Sequence, residues 1–167
     1  MDHSINVCFS TTSNFISKAV RWFTRSPISH CYITFQDQTL KRVMIMEADW
    51  IGFVLAPWDG VVPKGRELVA RFKVNVPEEN QLAAIHKLTF LLGAGYNYRS
   101  LAILAVRRFV RQFNNPLTSP KKVICSESVV MFLNEAGATE LENPGSWTPD
   151  DVYSYVINHP EMFIRQE

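Results

Sequence analysis

A change of hydrophobic period near residue 76 divides this chain into two kinds of sequence. Before it, β-branched and large apolar residues gather in short runs over residues 5–10, 28–35, 42–48, 52–55 and 68–74, each bounded by polar or turn-forming residues. After it, apolar residues recur three and four apart, as on the buried stripe of a helix. The sheet therefore lies mainly before residue 76, interrupted by one helix in which Phe15, Ile16, Ala19, Val20 and Phe23 form the stripe and Ser26-Pro27 ends it. Pro77-Glu78-Glu79 opens a helix that Gly93 closes, a further helix spans about 100–113, and another runs from Cys125 to Gly137. Thr148-Pro149-Asp150-Asp151 caps the last one. At 167 residues the chain is long enough for one domain, 1–167, that buries about 70% of its extended surface without disulfides or metals.

Charge and cysteine usage exclude several classes. Seventeen basic against 16 acidic residues leave a net charge of +1, so the surface as a whole is not built for nucleic acid and no such partner is expected. Cys8, Cys31 and Cys125 are odd in number and contain no CxxC pair, which argues against a disulfide framework or structural zinc. No metal or cofactor is expected. Met1-Asp2-His3-Ser4 does not begin a secretory signal, and no apolar stretch approaches the roughly 18 residues that span a bilayer, so the expected location is cytoplasmic.

Chemistry concentrates in two places. If the polar turn between residues 35 and 42 is centred between Gln38 and Thr39, His30 faces Glu47, Tyr32 faces Ile45 and Thr34 faces Val43. A carboxylate opposite an imidazole orients one ring nitrogen and leaves the other free to act as a base; the same pair also serves as an ordinary surface contact. In the segment 121–133, an extended basic stretch turns helical at Cys125, with Val129, Phe132, Leu133 and Ala136 on the apolar stripe. A thiol at a helix N-terminus meets the positive end of the dipole, which lowers its pKa; the alternative is a small buried thiol opening a packed helix. Glu127 lies roughly 200° around the helix from Cys125 and is left out of the catalytic set. Cys8 and Cys31 read as core residues.

Cys125, His30 and Glu47 are the residue types of a thiol acyl-transfer triad. Their order and surroundings, Ser29-His30-Cys31-Tyr32-Ile33, then Glu47-Ala48, then Cys125-Ser126-Glu127, resemble the permuted papain-like (circularly permuted NlpC/P60) cysteine hydrolases of the YaeF/YiiX type. The resemblance covers most of the chain. It implies an α+β, papain-like fold with helices packed on an antiparallel sheet. It also implies attack of Cys125 on an amide, ester or thioester of a peptide or acylated lipid, with His30 as base, Glu47 as its orienting group and no cofactor. Gly95-Tyr96-Asn97 resembles that family's Gly-x-x-Tyr-Asp element, so Tyr96 is expected beside the substrate, together with Ser126 at the start of the Cys125 helix; Asn97 replaces the family's Asp.

One charge feature stands apart. Arg99, Arg107, Arg108, Arg111, Lys121 and Lys122 occur without an acidic residue between them and are interleaved with apolar ones. Such a segment contacts an anionic membrane, through Arg107, Arg108 and Arg111, or forms a solvated face of a helix packed on the core. The alternative to an enzyme is an inactive relative or interaction protein that binds an anionic lipid or peptide through residues 99–122.

Overall fold

The computed structural model describes residues 5–61, 65–107 and 121–167. Its frame is a six-stranded sheet built from β1 (Asn6–Thr11), β2 (His30–Asp37), β3 (Arg42–Asp49), β4 (Gly52–Pro57), β5 (Glu67–Val74) and β8 (Phe163–Gln166). The strand order is β4-β3-β2-β1-β5-β8, and every neighbouring pair is antiparallel. Two short strands, β6 (Gly95–Tyr96) and β7 (Lys122–Val123), pair in parallel beside it. Among the described residues there are six α-helices, so the fold is α+β: α1 (Phe15–Thr24), α2 (Trp58–Val61), α3 (Glu78–Leu88), α4 (Tyr98–Arg107), α5 (Cys125–Glu135) and α6 (Pro149–Ile157).

Local sequence accounts for most boundaries. Asn14 caps α1 by accepting the Ser17 N–H at 2.7 Å. Thr148 and Asp151 cap α6 reciprocally, with Pro149 in the first turn, where no amide hydrogen is needed. Strand alternation sends Val7, Phe9, Cys31, Ile33, Met46 and Phe72 to one face, which α5 covers with the fully buried Val129, Phe132 and Leu133. Each such side chain contributes about 1.5–3 kcal/mol relative to exposure. α3 and α6 flank α5, and Tyr153 of α6 packs edge-on against Phe9 and Phe72. The opposite face carries a smaller cluster of Cys8, Tyr32 and Ile45 under Trp58.

One expectation needs correction and two are extended. The hairpin pairs Ile33 with Met46 and Asp37 with Arg42, a register displaced by two residues from a turn centred between Gln38 and Thr39. Asp37 closes the turn by accepting the Leu40 N–H at 2.7 Å, and Lys41 takes a left-handed conformation, so the loop is 38–41. Because the displacement is even, the faces are preserved and His30 and Glu47 remain on one side as diagonal neighbours. The sheet is also not complete by residue 76, since β8 adds its outer strand from the C-terminus. The helix expected over 100–113 begins at Tyr98, and its part beyond Arg107 lies outside the described residues.

Candidate active site

β2, β3 and α5 bring the predicted groups together. His30 opens β2 at the end of the sheet, and its Nε2 lies 2.6 Å from Oε2 of Glu47 on β3. With Nε2 so engaged, Nδ1 is the nitrogen left for Cys125, which lines the same cleft and whose thiolate charge and the imidazolium charge favour each other. Cys125 is the first residue of α5. Two devices hold it there: β7 pairs with β6 immediately before it, and the Glu127 carboxylate accepts the Ile124 N–H at 3.3 Å, closing the helix start. Glu127 thus caps the helix; burial raises its pKa to about 6.

The carboxylate of the triad has a second partner. Arg66 Nη2 donates to Glu47 Oε1 at 3.2 Å and Nη1 lies 2.9 Å from Oε2, both side chains being almost fully buried. The guanidinium also stands 5.0 Å from the centre of the Tyr32 ring, against which His30 stacks. Charges therefore alternate along a buried line: Arg66, Glu47, His30, Cys125. Burial pushes the Glu47 carboxyl up, but His30 and Arg66 outweigh it and leave its pKa below the ordinary value. Burial likewise disfavours the charged imidazole, but the Cys125 and Glu47 charges raise His30 to about 10. The Cys125 thiol is held well below its ordinary value, first by a hydrogen bond from the Cys31 thiol, then by His30.

Cys31 is a core residue, as expected, on the sheet face that α5 covers, and from there it is the largest influence lowering the Cys125 thiol. Cys8 is buried on the other face, with its pKa raised to about 11 by burial, and is the core residue expected. Tyr96, on β6, lines the cleft with Cys125, and burial and then the Cys125 charge push its hydroxyl pKa up. Ser126 lines the same cleft, but its hydroxyl is donated to the Trp147 carbonyl at 2.5 Å; the group it leaves for a substrate is its backbone N–H. Asn97 caps α4 by accepting the Ser100 N–H at 3.1 Å, an anchoring role. Arg66 and the Cys31 contact carry no local sequence signal, because both depend on how distant segments cross the sheet.

The thiol opens into a cleft of about 160 Å³ between α1, α4 and the β3–β4 turn, lined among others by Ile16, Val20, Trp50, Tyr98 and Leu101. Thr11, Ser17 and Ser29 hydroxyls hydrogen-bond one another beneath α1 and fix it to the sheet beside His30. No protein-family model matches the chain, and no curated protein matches it either. The site is therefore read from its own geometry. Among the described residues no three His, Cys, Asp or Glu side chains are grouped as metal ligands, and no helix is long and apolar enough to cross a membrane. Arg107 ends α4, while Arg108 and Arg111 lie outside the described residues.

Proposed function

We propose that this chain is a cysteine-dependent hydrolase or acyltransferase, resembling the permuted papain-like enzymes, that cleaves an amide, ester or thioester in a peptide or acylated lipid. The observation that carries the reading is a thiol at a helix N-terminus that shares a cleft with an imidazole, one of whose nitrogens is held by a buried carboxylate. The thiolate of Cys125 attacks the carbonyl carbon, forming a C–S bond and a tetrahedral oxyanion. Backbone N–H groups at the start of α5 and the Tyr96 hydroxyl are the donors available to that oxyanion. The His30 imidazolium then gives its proton to the leaving nitrogen, oxygen or sulfur, and the acyl group stays on Cys125 as a thioester. Neutral His30 next takes a proton from water or an acceptor alcohol or amine, which attacks the thioester and returns the thiolate. Glu47 orients the ring and stabilises its charged form throughout.

The test requires no substrate. Rates of Cys125 alkylation by iodoacetamide, read peptide by peptide across pH, should show a midpoint well below that of a free thiol, and His30→Ala should move it upward. If Cys125 titrates as an ordinary thiol whether or not His30 is present, the enzymatic reading fails.

A further inference from the structure

α1 buries less of its apolar surface than its sequence provides. At about 100° per residue, Val20, Ile16, Phe23, Ala19, Phe15 and Trp22 follow one another around an arc of about 160°. Only Ser17 and Val20 of the helix are buried, while Phe15 is 85% and Trp22 71% exposed. The adjoining arc carries Lys18, Arg21 and Arg25. No acidic residue occurs between Asp2 and Asp37, and none of the three cations has an acidic partner among the described residues. Since the whole chain is nearly neutral, this charge is local.

The arc begins inside the candidate site. Ile16 and Val20 line the cleft that holds Cys125, and the apolar surface continues from them outward to Phe15 and Trp22. Across the mouth stands Trp50, 66% exposed on the β3–β4 turn, fixed by the Tyr98 hydroxyl, which donates to its carbonyl at 2.9 Å. Asp49, which precedes it and lines the cleft, accepts the Trp50 N–H at 2.5 Å and keeps its negative charge on that side. The cleft mouth is thus bordered by Ile16 and Val20 on one side and by Trp50 and Tyr98 on the other, with the exposed Phe15 and Trp22 and the three cations farther around α1. Exposed large apolar residues grouped beside cations on one helix are the composition of a helix that lies in a lipid interface, and tryptophan favours that depth.

We propose that this rim docks on an anionic lipid bilayer, with α1 in the interface and the Cys125 cleft opening onto the lipid. The docking stands on surface chemistry alone; the further consequence, that the substrate is a membrane amphiphile, rests on the thiol-enzyme reading. Its apolar chain has a path along Val20, Leu101 and Leu104, which line both the cleft of the thiol and an adjoining one of about 280 Å³ between α1, α4 and the start of α6, where Asp150 and Asp151 form the polar wall.

Flotation of the full chain with vesicles of phosphatidylcholine alone, or mixed with phosphatidylglycerol, tests the docking, and the Cys125 alkylation profile is measured on the same preparations. Partition onto the anionic vesicles should exceed that onto the neutral ones by about tenfold or more and fall at high salt. Phe15→Ser with Trp22→Ser should lower it about tenfold, and Lys18→Glu with Arg25→Glu, at exposed positions that do not threaten folding, should remove the preference for anionic lipid. Neither pair should change alkylation of Cys125 in solution. Equal partition onto both vesicles, or variants that partition like the wild type, would overturn the proposal. So would a dimer, seen by light scattering, that Trp22→Ser dissociates while vesicles capture nothing, since the rim then belongs to a second copy. An unreactive Cys125 on a protein that still binds anionic vesicles would remove the enzymatic reading and leave the docking intact.

Discussion

At the scale of single residues, the site is a line of four alternating charges in which each member is intelligible only through its neighbour. Glu47 is 1% exposed and carries a full charge because Arg66 and His30 compensate it. Arg66→Met should strand that carboxylate: a loss of about 3–5 kcal/mol in urea unfolding is expected, with a raised Cys125 alkylation midpoint, and Arg66→Lys should restore part of the midpoint. An Arg66→Met protein with wild-type midpoint and stability would make the arginine incidental. The pH dependence follows from the same line. The thiolate forms as pH rises through the depressed Cys125 value, and the proton available to a leaving group is lost as pH rises through about 10 at His30, so turnover or acylation should be bell-shaped with that alkaline limb. Stability has matching signs. His30 is raised from 6.5, so its contribution is fully present below 6.5 and lost through about 10. Glu47 is lowered from 4.5, so its contribution is present above 4.5 and lost as pH falls through its depressed value. The thermal midpoint of wild type relative to His30→Gln, measured from acid to alkaline pH, should therefore be highest in between and narrow at both ends.

At the scale of elements, the helix and strand assignments were largely legible because caps and periods are local properties. α1 and α5 start where Asn14 and the extended Ile124 place them, and the strand runs fall within one or two residues of expectation. The hairpin register was not legible, since it depends on the choice of Asp37 as the residue that closes the turn. The approach of β4 to the 93–95 segment was not either. Gly52 has φ of 129°, and a Cβ there would stand 2.5 Å from the Ala94 carbonyl oxygen, which is itself held at 2.8 Å by the Phe53 N–H. That segment leads directly into β6 and Tyr96. Gly52→Ala should cost about 2 kcal/mol or more by urea unfolding and slow Cys125 chemistry by displacing Tyr96. Wild-type stability in that variant would refute the close approach.

At the scale of the whole molecule, the chain end completes the sheet. β8 pairs with β5 from Arg71–Gln166 to Val74–Phe163 and buries Phe163. Deleting residues 163–167 should remove about 3–5 kcal/mol of packing and leave β5 as an open edge that self-associates, measurable by unfolding and by light scattering. A truncated chain that stays monomeric and stable would show that the edge is protected in another way. The residue types of the site, their order, the strand and helix segments and the N-terminal position of Cys125 on its helix follow from the sequence itself, because each depends on neighbours a few positions away. Tertiary structure alone decided that Arg66 reaches Glu47, that Cys31 acts on the thiol, that β8 closes the sheet, and that α1 leaves Phe15 and Trp22 uncovered. Those contacts join segments tens of residues apart, and their partners are selected by how the faces pack, which no local pattern records.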